Sequence, residues 1–227
     1  MSSGRLYAGL LRRLRPRLLR HLPYALTRRA ISGRGNRVML AKGAQLVGAR
    51  IDIAGNDNLV EIGADAVLNQ VLIYIRGNGN RLSIGAGCRV SRNAEFWQED
   101  DHTVIQVGAR TTIESAHLAA TENGSRLLIG EDCMLAYDID IRTGDSHAIL
   151  KAADGERLNP AASVELADRV WLAAHVRVLK GVRLGTDTVV GTGSVVTRSS
   201  EECGVALAGN PARIVRRGIR WSADRRG

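Results

Sequence analysis

Five short strings in the C-terminal half hold the side chains best able to do chemistry. They are Thr143-Gly144-Asp145-Ser146-His147, Arg169-Val170-Trp171-Leu172, Val178-Leu179-Lys180-Gly181-Val182, Val190-Gly191-Thr192-Gly193-Ser194-Val195-Val196-Thr197-Arg198 and Ala208-Gly209-Asn210-Pro211-Ala212-Arg213. An imidazole can take a proton from a hydroxyl and return it to a leaving group near neutral pH. Asp145, two residues before His147, is placed to orient the ring, to bind a ligand hydroxyl, or only to form a turn. Arg198 and Arg213 offer planar charged forks that suit phosphate. Their surroundings also fit a plain solvated tail, because Arg216, Arg217, Arg220, Arg225 and Arg226 crowd the same end. His102, His117, His147 and His175 raise the question of a metal, but no His-x4-His pair exists, and no metal is expected.

These strings are carried by a six-residue beat. An aliphatic recurs at Leu166, Leu172, Val178, Leu184, Val190 and Val196. Neither a helix nor a single strand has that period, whereas a parallel β-helix of three short strands per coil does. Aliphatic-plus-small pairs mark earlier coils at Leu40-Ala41, Ile62-Gly63, Ile84-Gly85, Val107-Gly108 and Ile129-Gly130. Those coils exceed the ~18 residues of a plain triangle by about four or five. The excess falls at one phase, in polar corners such as Gly55-Asn56-Asp57-Asn58 and Gly77-Asn78-Gly79-Asn80. The fifth residue of each opening hexapeptide is small (Ala44, Ala66, Cys88, Thr111, Cys133, Val170, Thr188), as a narrow interior demands. The pattern predicts an all-β solenoid of about seven coils, with a loop at 148–163 extruded where the beat breaks. Three Trp, four Tyr and one Phe are too few for an ordinary globular core, so the aliphatic column must supply it.

The chain has 227 residues and a formal net charge of +9, unevenly placed. Residues 1–51 contain twelve Lys and Arg and no acid, so the solenoid itself is mildly acidic. Within the leader, Leu6, Leu10, Leu14, Leu18 and Leu22 recur between Arg12, Arg13, Arg17 and Arg20, the pattern of a basic amphipathic helix bent near Pro16. Such a helix caps the first coil, joins subunits, or lies on an anionic membrane through residues 1–30. A transit peptide or a nucleic-acid arm is the remaining alternative, and with aromatic stacking residues missing no nucleic-acid partner is expected. Cys88 and Cys133 lie two coils apart, too far to pair, and read as small hydrophobes; Cys203 has no evident partner. The expected organisation is a basic segment at 1–36, a β-helix at 37–200 and a tail at 201–227 packed on the last coils.

Residues 40–221, through the succession VW…LKGV…GTGSVVT…AGNPAR, closely resemble the hexapeptide-repeat acyltransferases, in particular the galactoside/maltose O-acetyltransferase-like branch and its polysaccharide-modifying relatives. The resemblance implies a left-handed parallel β-helix, a homotrimer, and acetyl-CoA as co-substrate in a groove between adjacent subunits. It implies His147 as catalytic base, Trp171 in the active-site tunnel, and the Ala174 backbone N–H facing the thioester carbonyl. It places Thr192, Thr197, Arg198 and Arg213 along the pantetheine and phosphates. His117 aligns with a sugar-contacting position and stands where the solenoid is normally small. The implied reaction is O-acetylation of a sugar or bacterial surface glycan in the cytoplasm, at the inner membrane face if the leader attaches there. The 148–163 loop differs from the short-sugar enzymes. N-acetylation of an amino sugar, a non-catalytic structural solenoid and a γ-type carbonic anhydrase are the rival readings.

Overall fold

The computed structural model describes residues 23–224. Three parallel sheets wrap one core: sheet I has eight strands, sheet II seven and sheet III nine. The chain visits them in the order I, II, III, and consecutive visits to one sheet pair in register. The result is a left-handed parallel β-helix of about eight coils.

Register explains the core. Ile51, Ile73, Phe96, Leu118, Ile141, Val178 and Val196 are successive partners up sheet I and are all buried. Alternate residues of the same strands face outward, as in Leu72–Arg76, where only Ile73 and Ile75 are buried. Each buried aliphatic contributes roughly 1.5–3 kcal/mol, and a neighbouring coil covers it above and below. The small column Ala44, Ala66, Cys88, Thr111, Cys133, Val170 and Thr188 is buried as expected. Burial pushes the Cys133 thiol up to about 11, so this group stays protonated and packs as a hydrophobe. All three cysteines are free.

The long corners between sheets I and II are stacked polar ladders. Asn58 Nδ2 donates to Asn36 Oδ1 (3.0 Å) and to the Gly77 carbonyl (2.9 Å). The Asn80 N–H donates to Asn58 Oδ1 (2.9 Å), and the Thr103 N–H to Asn80 Oδ1 (2.8 Å). Asn58 and Asn80 are fully buried, so these bonds satisfy amides that would otherwise be costly to bury. Glycine is required at Gly55, where φ is +137° and a Cβ would fall 1.8 Å from the Gly77 carbonyl oxygen.

The ends depart from expectation in two ways. Strand Arg28–Ser32 pairs with Arg50–Ala54, so the solenoid starts inside the segment expected to be leader, and the coils number about eight rather than seven. This edge strand is exposed along its whole length and has no inward beat to announce it. At the other end, Val205–Gly209 continues sheet III in parallel and Ala212–Arg217 folds back antiparallel, covering its edge. The leucine repeat at 6–22 lies outside the described residues. No helix among the described residues is long and apolar enough to cross a membrane.

Candidate active site

His147 stands where the chain leaves sheet I, five residues beyond strand Ile139–Arg142. The 148–163 segment is a β-hairpin closed by an antiparallel bridge between Leu150 and Arg157. Asn159 is its hub. This buried amide accepts from the Ile149 N–H (2.6 Å) and donates to the His147 carbonyl (2.8 Å) and to Asp145 Oδ2 (2.9 Å). Lys180 reaches across from the next coil to pair with Asp145 and to donate to the Asn159 carbonyl (3.0 Å). Arg157 grips Glu122 with both terminal nitrogens, tying the hairpin to the preceding coil. The imidazole of His147 is exposed and makes no side-chain hydrogen bond among the described residues, while its backbone is held by two hydrogen bonds, its N–H to the Asp145 carbonyl and its carbonyl from Asn159.

Asp145 accepts the His147 N–H on its carbonyl (2.8 Å), while among the described residues its carboxylate makes no hydrogen bond to the His147 ring. Its carboxylate is committed to Lys180 and Asn159, which hold it below the usual carboxylate range, Lys180 foremost. Arg157 likewise lowers the Glu122 carboxyl, helped by the Ala161 N–H. Thr197 and Arg198 lie at the same corner one coil beyond Leu179 and Lys180. Both are exposed, and Arg198 makes no ion pair among the described residues.

The other expected residues lie around sheet III. Trp171 opens strand Trp171–Leu172 with its indole on the outer face, between register partners Met134 and Val189. Ala174 is at the corner where sheet III passes to sheet I. Its carbonyl accepts from Gly193 (2.9 Å), and its N–H meets no acceptor among the described residues. Tyr137 and Thr192, the same corner one coil earlier and one later, share that free N–H, so the geometry belongs to the corner and not to alanine. Arg213 is exposed on strand Ala212–Arg217, with one guanidinium nitrogen on the carbonyl of Ala212. Beside Ala174, His175 Nδ1 lies 2.6 Å from Asp138 Oδ2, which Arg177 also contacts at 2.9 Å, and the Tyr137 ring meets His175 edge-on. His175 and Arg177 together lower the Asp138 carboxyl, His175 foremost.

His117 departs from its expected place. Ala116 and Leu118 point inward and His117 outward, from the middle of sheet I, with Nδ1 3.0 Å from Glu95 Oε2. An outward position is not confined to small residues, and the adjacent Trp97, stacked on Tyr74 at 3.8 Å, shows how much that face accepts.

The roles of two residues escaped the sequence reading. Asn159 carries no motif, and its role depends on partners fourteen residues before and twenty-one after. Trp221, in the tail, stands 5.9 Å from Trp171 between ring centroids. A tryptophan in an arginine-rich tail is the only local signal for it.

The candidate residues fall into two groups at the two edges of sheet I. Asp145, His147, Thr197 and Arg198 lie at the corner with sheet II; Trp171, Ala174, Thr192 and Arg213 lie on or beside sheet III. Sheet I itself separates them within one chain.

In architecture the chain is a hexapeptide-repeat parallel β-helix, and that architecture is similar to solved acetyltransferases. In particular it is similar to two solved structures, the polySia specific acetyltransferase NeuO and the polysialic acid O-acetyltransferase OatWY. The NeuO match has 26% identity and a TM-score of 0.75, covering 88% of this chain and 91% of that one. The OatWY match has 27% identity and a TM-score of 0.75, covering 87% and 92%. Curated relatives match more briefly. Galactoside O-acetyltransferase of Escherichia coli K12 is 36% identical over 53 residues, 23% of this chain and 26% of that protein. A Saccharomyces cerevisiae protein named "Putative acetyltransferase YJL218W" is 38% identical over 60 residues, 26% of this chain and 30% of that protein. The matched segments thus span under a third of these curated relatives. No profile of a known protein family matches the chain.

Proposed function

We propose that this protein is an O-acetyltransferase that moves an acetyl group from acetyl-CoA to a hydroxyl of a sugar or surface glycan, working as a homotrimer. The observation that carries the reading is His147, an exposed imidazole without a side-chain partner on a backbone fixed by Asn159. As general base, His147 takes the proton of the acceptor hydroxyl while that oxygen attacks the thioester carbon. The Ala174 N–H, which meets no acceptor among the described residues, stabilises the oxyanion of the tetrahedral intermediate. Collapse of the intermediate expels the CoA thiolate, which takes the proton back from the imidazolium. Arg198 and Arg213, both exposed, are available to phosphate, with Thr192 and Thr197 beside the pantetheine. The similarity to two polysialic acid O-acetyltransferases along nearly the whole chain supports a glycan acceptor. His117 and Asp145 are the proposed acceptor contacts, Asp145 through whatever capacity its bonds to Lys180 and Asn159 leave.

Separation of the two residue groups supports the trimer. The sheet I–sheet II corner of one subunit can meet the sheet III side of the next, and three such contacts close a ring. Ile149, Leu150 and Leu158 on the hairpin, with Leu179 beside it, are exposed apolar groups suited to such a contact. Acetyl transfer from acetyl-CoA to a panel of oligosaccharides, read by mass spectrometry, tests the activity. Co-expressing His147→Ala with Trp171→Ala tests the shared site. Inactive parents whose mixed trimers recover about a quarter of wild-type turnover support it, since a quarter of interfaces pair two intact halves; no recovery counts against it. Peripheral membrane attachment through the basic segment 1–30 belongs to the same proposal, and co-sedimentation with anionic but not neutral vesicles checks it.

A further inference from the structure

The two ends of the solenoid are finished differently. Ala212–Arg217 folds back over the last coil, whereas among the described residues no coil lies beneath the first. That open end has an apolar mouth. Ile31, Val38 and Leu40 are register partners of the buried Ile53, Val60 and Ile62, yet Ile31 is exposed and the other two are only half-buried. Around the mouth runs a rim of cations. Arg28 and Arg29 follow the corner from sheet III to sheet I, Arg34 stands at the next corner, Arg37 on sheet II and Lys42 at the third corner. All five are exposed, and none makes an ion pair among the described residues. The first acids of the chain sit one coil higher, and Asp52 among them is occupied by Arg50 and Arg76.

Large apolar groups join the cations here. Of those exposed among the described residues, Leu26 (58%), Met39 (50%) and Ile31 (38%) belong to this one coil. Arg29 shows what the mouth is not built for. It is the inward-facing register partner of Ile51, with its guanidinium 5.0 Å from the Tyr24 ring centroid. An apolar protein layer laid across it would bury that charge without a counter-ion. Phosphate headgroups would supply one. Cations alone would hold any polyanion, but only a bilayer also takes up Leu26, Ile31 and Met39.

We infer that the first coil is a docking surface for an anionic bilayer and that the solenoid stands on it end-on. The inference rests on the peripheral attachment proposed above, and it adds to residues 1–30 a contact made by the folded solenoid itself. A three-fold ring puts three such ends in one plane. Along sheet I, five strand spacings separate Arg28–Ser32 from Ile139–Arg142, which leads to His147; at ~4.8 Å each, His147 stands roughly 24 Å above this end. At that height the acceptor is a hydroxyl on a glycan chain standing off the surface, not a headgroup lying in it.

The test is co-sedimentation of the full chain with vesicles of phosphatidylcholine, alone and mixed with phosphatidylserine. Arg34→Gln, Arg37→Gln and Lys42→Gln together should weaken binding to the mixed vesicles about a hundredfold, at about fivefold for each cation. The same change at Arg81, Arg126 and Arg183, exposed cations higher on sheet II, should have little effect. Leu26→Asn with Met39→Asn should weaken vesicle binding about tenfold and leave binding to dextran sulfate, a soluble polyanion, unchanged. Asparagine also accepts the φ of 57° found at Leu26. Wild-type affinity in the first triple variant overturns the end-on surface and leaves attachment to the leader alone. Equal losses in both triple variants overturn it too, as an effect of net charge without a face. Dependence on the cations but not on Leu26 and Met39 overturns the bilayer in favour of a soluble polyanion. Wild-type protein that ignores the mixed vesicles removes the attachment and the end face together.

Discussion

The upstream and downstream coils share one cross-section but spend their corners differently. Upstream, long corners between sheets I and II stack Asn36, Asn58, Asn80 and Thr103 into a continuous hydrogen-bonded column. Strands of sheet I there run to five residues, as in Arg50–Ala54 and Glu95–Glu99. Downstream, strands of sheet I shrink to two residues, as in Arg177–Val178 and Val195–Val196. Their corners carry no amide ladder and instead display Ala174, Thr192, Thr197 and Arg198. Polar groups in the upstream corners bond to each other, whereas the downstream corners leave donors and charges open to a ligand. The Thr143–His147 break lies where one regime gives way to the other, and its hairpin brings its own polar network. On the function proposed above, stability and chemistry occupy different stretches of a single repeat, and substitutions should separate them.

The largest expected effect falls at that break. His147→Ala should lower kcat about 10²–10⁴-fold with little change in melting temperature, because the imidazole is exposed and makes no side-chain hydrogen bond among the described residues. Near-normal turnover would end its role as base, and a collapse in stability would place it in the core after all. The mirror image is Asn80→Ala in the upstream ladder. It leaves the buried Thr103 N–H and hydroxyl without their acceptor, at about 1–3 kcal/mol for each unsatisfied buried group. Urea unfolding should show the loss, with turnover per folded molecule unchanged. If Asn80→Ala instead impairs catalysis at full stability, the division between the two regions fails.

Much of this was legible in the sequence because a solenoid repeats its rule locally. Every coil places an aliphatic at the same phase, so the beat from Leu166 to Val196 and the polar corners at 55–58 and 77–80 foretold the sheets and the ladder. The motif strings also name His147, Trp171 and Ala174, the residues on which the proposed site rests. What escaped depends on pairings that leave no periodic trace. Glu122 meets Arg157 across thirty-five positions, and Trp221 meets Arg169 across fifty-two. The first strand was missed because an edge strand needs no inward beat. The hexad beat places His117 at a small-residue position because it does not show that the turn from sheet III to sheet I is one residue shorter there, Ile113 to Leu118 against Leu172 to Val178, which turns Ala116 inward instead.

The smallest effect concerns the hairpin under acid, where the downstream polar network can be loosened without touching the ladder. Arg157 holds the Glu122 carboxyl below its ordinary value, and Lys180 does the same for Asp145. A carboxyl whose native pKa is depressed stabilises the fold fully above its unfolded value of about 4. That contribution disappears as pH falls through the lower native value. The hairpin should thus be indifferent to pH from neutrality down to about 5 and loosen below about 4. Both partners of the Glu122–Arg157 pair are partly exposed, at 29% and 37%, so solvent screens it. A pair of this kind is worth about 0–1 kcal/mol, less than about a fivefold change in opening. Hydrogen exchange at Lys151 and Leu158, whose N–H groups close the hairpin, provides the measurement. Their protection relative to core amides such as Ile105 should fall in acid, and Glu122→Gln should produce much of the same loss already at pH 7. Protection that tracks the core at every pH would mean the hairpin is held by its backbone bonds and Asn159 alone.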